Sequence, residues 1–157
     1  MFFINSFIGK IILTFFVAML PIIELRGAIP IGVGLGLNMW VSIIVSVLGN
    51  VVPVPFIILF IQKIFNWMRN VCKPFKNLVE YFEKKADKHF DKVEKYGFWG
   101  LFVLVAIPLP GTGAWTGALV AALLGMKLKH SFPAIVLGVV GAGIIVSILT
   151  YMGFNIL

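Results

Sequence analysis

The stretch Leu20–Pro30, LPIIELRGAIP, decides how this chain is read. It lies inside a run from Ile11 to Ile61 in which no other residue is charged, yet it holds a carboxylate, Glu24, and a guanidinium, Arg26. Pro21 and Pro30 flank the two charges. An ionised side chain at bilayer depth costs at least ~2.5–3.5 kcal/mol on insertion scales. Two such groups persist where they are paired, hydrated or at work. On a regular helix, residues i and i+2 point about 200° apart and do not meet. Pro21 removes a backbone donor and disfavours helix at Leu20, so the chain is expected to break there. In such a break the side chains either pair with each other or face a water-filled cavity. Arg26 offers a planar fork for phosphate or carboxylate. Glu24, partly desolvated, is suited to exchanging a proton. A helix expected from about Gly27 would aim its positive end at the same spot. The competing reading is an ion pair that only locks the fold.

Composition sets the environment. The 157 residues are 61% hydrophobic and 12% charged, with mean hydropathy +1.06. A soluble domain carries about 45–50% apolar and about 25% charged residues. This chain cannot wrap a core in polar surface, so it reads as an all-α integral membrane protein. Its net charge of +7 is concentrated. Nine of thirteen basic residues and five of six acids fall between Lys63 and Lys95. That mixed segment suits the anionic cytoplasmic leaflet and the positive-inside rule rather than nucleic acid. One cysteine, Cys72, allows no intrachain disulfide and no metal spacing, and His89 and His130 lie far apart. The N-terminus has no basic region ahead of its apolar stretch and does not read as a cleaved signal peptide. No catalytic Ser/His/Asp or Cys/His set, GxGxxG or Walker lysine is present. The expectation is no enzyme, no cofactor and no metal.

Three zones follow. Residues 1–61 form a first membrane repeat, with a hairpin about 11–37 and a spanning helix about 39–61. Residues 62–96 form an amphipathic helix at the cytoplasmic face, with Phe75, Leu78, Val79, Phe82, Ala86, Phe90 and Val93 on one side. Residues 97–157 form a second repeat, with a hairpin about 98–126 and a spanning helix about 131–157. Shifted by 89 residues, Leu35-Gly36 meets Leu124-Gly125, Ser42 meets Ser131, and Val47-Leu48-Gly49 meets Val136-Leu137-Gly138. Ala28, Gly32 and Gly36 form a small-residue ladder matched by Gly117, Ala121 and Gly125, spacing that lets helices approach closely in lipid. A re-entrant second hairpin returns Lys127, Lys129 and His130 to the side of the basic segment. Two such hairpins then enter from opposite faces as an inverted repeat, a transporter plan with its site near the midplane.

The second tip, AIPLPGTGAWTGA, carries no charge. Pro108, Pro110, Gly111 and Gly113 interrupt the helix, and Thr112, Thr116 and Trp115 offer neutral hydrogen bonds. They either complete a site for a ligand with a polar head and an apolar body or satisfy their own kink. Asn50, before the kink at Pro53 and Pro55, is a further candidate for the same cavity.

The motifs PIIELRGAIPIGVGLGLN and PLPGTGAWTGALVAALLGM resemble the small multidrug export protein family over nearly the whole chain. More distantly the plan is similar to the DedA/VTT superfamily, in which opposed re-entrant hairpins are associated with moving lipids, undecaprenyl phosphate included, and carry acids and arginines at their tips. Glu24 and Arg26 match that pattern; the second hairpin has no arginine. The expected protein is a multi-pass transporter of the inner (cytoplasmic) membrane. Its partners would be membrane lipids, an amphipathic or lipid-phosphate substrate, proton or sodium as coupling ion, and a second copy in a homodimer. Efflux of cationic drugs and a non-transporting scaffold are the alternatives.

Overall fold

In the computed structural model, residues 6–71, 80, 84, 93, 95–109 and 111–156 are described. Among them lie seven helices and no strand: α1 Phe7–Met19, α2 Glu24–Gly34, α3 Met39–Val51, α4 Pro53–Val71, α5 Phe98–Ala106, α6 Ala114–Leu123 and α7 Leu128–Ile156. The amphipathic segment read at 62–96 lies largely outside the described residues. Where it is described, α4 runs on to Val71 rather than stopping near Ile61. Gly97, at φ +51, stands where the sequence ends that segment.

Two helical spans are long and apolar enough to cross a bilayer, Met39–Ile61 and Leu128–Gly153. Only 33% and 39% of their most apolar stretches are buried, and the polarity of α3 is inside out. Trp40, Ile44, Leu48 and Val52 face outward, while Ser42, Ser46 and Asn50 are buried. A soluble core helix has the opposite arrangement. This chain is a membrane protein.

The chain divides into two compact units, Met1–Pro53 with Val139–Leu157, and Val54–Gly138. In the first, α1, α2 and α3 pack on one another. Ser6 caps α1 by accepting from the Gly9 amide, so the helix begins at Phe7 rather than near Ile11. A Cβ on Gly32 would lie 3.1 Å from the Thr14 methyl and 2.8 Å from Ser42 Oγ. Gly32 is therefore wedged between α1 and α3. Near Gly36 the Lys10 ammonium is 3.5 Å from where a Cβ would sit. Lys10 thus lies at the negative end of α2, where a cation is favoured. Thr14 beside Gly32 and Lys10 beside Gly36 fix α1 and α2 as antiparallel.

In the second unit α5 packs on α6. Gly117 faces Val105 and Ile135, and Gly138 meets the Phe102 carbonyl, 2.9 Å from a built Cβ. Gly49 in the first unit meets the Phe15 carbonyl in the same manner.

One turn is built twice, 89 residues apart. Leu35 N bonds Ile31 O, Gly36 N bonds Val33 O and Leu37 N bonds Gly32 O; Leu124, Gly125 and Met126 repeat these bonds to Val120, Ala122 and Ala121. Gly36 and Gly125 take φ +87 and +66, the left-handed helix stop that glycine adopts without penalty. The last rung of each small-residue ladder is thus a turn residue. Gly125 seats no helix contact, with nothing within 4 Å, and Gly36 has only the Lys10 ammonium near it.

Gly49→Ala, which drives a methyl onto the Phe15 carbonyl, is expected to destabilise the protein by ~1–3 kcal/mol. Gly153→Ala, in open space, should leave it unchanged or slightly stabilised. Thermal unfolding in detergent compares the two; equal behaviour would remove the close α1–α3 approach.

Candidate functional site

Glu24 is the first residue of α2, three positions earlier than the start expected at Gly27. Its amide bonds Leu20 O at 3.0 Å, which closes a turn across Pro21–Ile23. Glu24 is 4% exposed and takes φ +50, the one positive φ of a non-glycine residue among those described. A left-handed L-residue carries a penalty of roughly 1–2 kcal/mol. At the position 89 residues on, Gly113 precedes α6 with φ +126, where no Cβ resists. The first tip therefore holds a buried carboxylate where conformation alone favours glycine.

Arg26 is half-buried, and the Glu24 carboxylate bears on it electrostatically. Pro30 lies inside α2 rather than at a break. Lacking an N–H, Pro30 does not donate to the carbonyl four residues back.

The antiparallel register of α2 on α3 carries the rest. Gly32 sits at Ser42. By helix geometry, one turn back on α2 and one turn forward on α3 from that contact set Ala28 beside Ser46. By the same geometry a further turn sets Glu24 level with Asn50, about 12 Å along both helices from the Gly32 contact. The second unit shows the same step directly, with Gly117 against Ile135, the counterparts of Ala28 and Ser46.

Buried hydroxyls elsewhere in the described chain bond carbonyls of their own segment. Thr14 donates to Lys10 O at 2.8 Å, Ser131 to Lys127 O at 3.2 Å, Ser147 to Gly143 O at 2.6 Å and Thr150 to Val146 O at 2.8 Å. Ser42 Oγ, Ser46 Oγ and both amide atoms of Asn50 have no hydrogen-bond partner among the described residues, and all three side chains are 0% exposed. An unsatisfied buried polar group costs about 1–3 kcal/mol. Of these three side chains, Asn50 alone stands out in the sequence as a candidate for the site. The signal was there: Ser42, Ser46 and Asn50 fall at four-residue steps on one face, where the second repeat has Ser131, Ile135 and Val139.

The second tip belongs to the other unit and satisfies itself. Thr112 Oγ1 donates to Ile107 O at 2.7 Å and accepts from Leu109 N at 3.2 Å, and Thr116 donates to Gly111 O at 3.0 Å. Gly111 takes φ +89. Trp115 is half-buried at the start of α6, Pro108 lies in the loop, and Pro110 is outside the described residues. The hydroxyls offered to a ligand on sequence grounds hold the loop. Beside this tip an apolar groove of ≈ 660 Å³ runs along Trp99, Val103, Ile107 and Leu109, with Lys95 and Tyr96 among its lining residues. The Lys95 ammonium stands 5.4 Å from the Tyr96 ring centre.

These features define a helical membrane protein with a charged, oxygen-rich interior in one of its two units. Residues 24–145 match the model of the family described as "Putative small multi-drug export protein", and the chain belongs to that family. That description names export and no enzymatic activity. No curated protein and no solved structure matches the chain.

Two variants isolate the backbone strain. Glu24→Gly and Glu24→Ala both delete the carboxylate, but only glycine accepts the left-handed conformation without penalty. The glycine variant is expected to be more stable by about 1 kcal/mol. Equal melting temperatures, or a more stable alanine variant, would show that φ +50 is not strained in the folded protein.

Proposed function

We propose that this protein is an ion-gradient-coupled transporter of an amphipathic substrate, multi-pass in the cytoplasmic membrane, working at the tip formed by Glu24 and Arg26. The observation that carries the reading is Glu24 itself: a buried acid in a left-handed conformation, where the repeat has glycine. Strain of this kind persists where the residue's chemistry is needed.

In this reading Glu24 takes up the coupling cation, proton or sodium, and Arg26 holds the anionic head of the substrate, such as a polyprenyl phosphate. The N-terminus of α2 adds positive potential at the same place. Each hairpin dips into the bilayer and returns. In support, α1, α2, α5 and α6 have 13, 11, 9 and 10 residues, about 14–20 Å, too short for a hydrocarbon core of about 30 Å. The family description favours a second reading, in which Glu24 binds a cationic drug and Arg26 is structural.

The experiment uses protein reconstituted in vesicles with either polyprenyl phosphate or a cationic dye as probe. Arg26→Ala is expected to weaken binding of the phosphate probe. Glu24→Gln is expected to keep binding and lose gradient-driven transport. Retained phosphate binding in Arg26→Ala, with dye binding lost in Glu24→Gln, would favour drug efflux. A purely structural pair predicts that each single change unfolds the protein by ~3–5 kcal/mol. If Glu24→Gln with Arg26→Gln folds and transports like wild type, the charges serve only the fold.

A further inference from the structure

We infer that the interior face of α3 forms a sodium site with Glu24, made by Asn50, Ser46 and the carboxylate. This rests on the tip reading above and names its coupling ion. Asn50 and Ser46 are fully buried, lack hydrogen-bond partners among the described residues and follow at four-residue steps from Ser42, which meets Gly32 of α2. Register puts Asn50 level with Glu24, and Ser46 one turn below. Four other buried hydroxyls bond the carbonyl four residues back, so the orphan oxygens are a local property of this face. Side chains that forgo the default bond keep their lone pairs for something else.

The chemistry of the set selects the ion. Amide, hydroxyl and carboxylate oxygens are hard ligands that suit alkali and alkaline-earth cations. One carboxylate, already acting on Arg26, balances little more than a single positive charge in a low-dielectric interior, which favours a monovalent ion over a divalent one. A proton would need Glu24 alone, since serine and asparagine oxygens are not basic, and would leave Asn50 and Ser46 unexplained. Pro53 supplies no amide to the Gly49 carbonyl, adding an oxygen at the negative end of α3. Broken helices in membrane transporters use carbonyl ends of this kind to hold sodium.

The full chain in lipid nanodiscs is titrated with sodium chloride against potassium and choline chloride at constant ionic strength. Radioactive sodium binding and thermal unfolding are the readouts. Wild type is expected to bind sodium saturably and to melt at higher temperature in sodium than in choline. Ser46→Ala and Asn50→Val each place the kind of apolar surface the second repeat carries there, and each should weaken binding at least tenfold. Ser131→Ala, whose hydroxyl already bonds Lys127 O, should leave binding unchanged. If Asn50→Val does not fold, Ser46→Ala decides. No saturable sodium binding by wild type, or binding within twofold of wild type in the folded variants, overturns the site. Sodium-indifferent wild type whose transport still fails in Glu24→Gln overturns the sodium site alone and leaves the tip reading standing. Sodium binding that depends on Ser46 in a protein whose neutral double variant transports normally upholds the site and overturns the tip reading.

Discussion

Inside a bilayer a polar group finds no water, so each one is satisfied within the protein or stands as a free-energy deficit. Most of this structure obeys that constraint locally. Thr14, Ser131, Ser147 and Thr150 fold back on their own helices. The second tip closes its loop with Thr112 and Thr116. Lys10 sits at the carbonyl end of α2. Against that background the exceptions among the described residues are three side chains of α3, Ser42, Ser46 and Asn50, whose polar atoms lack partners; on α2, in the same unit, stand a strained buried acid and its arginine neighbour. Stability alone does not account for placing them together.

The internal repeat turns this into a comparison within one molecule. The same glycine stop joins the second and third helices of each hairpin unit, and Gly49 and Gly138 each meet a carbonyl of the preceding hairpin's first helix. The architecture therefore works with Gly113, Ile135 and Val139 at the positions that hold Glu24, Ser46 and Asn50 in the other copy. What differs between the copies is the chemistry.

The sequence made much of this legible. Mean hydropathy and charge placement announced a membrane protein, and the paired glycines at 36 and 125 announced the repeat. Met39–Ile61 was readable as a span because no charge interrupts it. Glu24 and Arg26 stood out because lipid penalises charge. Other features depend on three-dimensional register. The start of α2 at Glu24 follows from a turn across Pro21–Ile23 that ordinary helix signals do not mark. The ladder reading assigned close packing to Gly36 and Gly125, whereas their role is conformational, because small size and tolerance of positive φ are written with the same letter. The threonines of the second tip looked available because a sequence does not show which carbonyls a hydroxyl reaches. Ser42 showed only as the counterpart of Ser131, and Ser46 not at all, because a serine in a membrane helix usually bonds its own backbone.

The central claim is the α2–α3 register that brings Glu24 level with Asn50. Cysteine pairs test it most directly, in a Cys72→Ser background under mild oxidation in native membranes. Disulfide geometry admits only Cα separations of about 4.4–6.8 Å. Ala28→Cys with Ser46→Cys is predicted to cross-link faster than Ala28→Cys with either Ser42→Cys or Asn50→Cys. Preferential cross-linking of Ala28→Cys to position 42 or 50 would slide the helices by a turn, separate Glu24 from Asn50, and contradict the account.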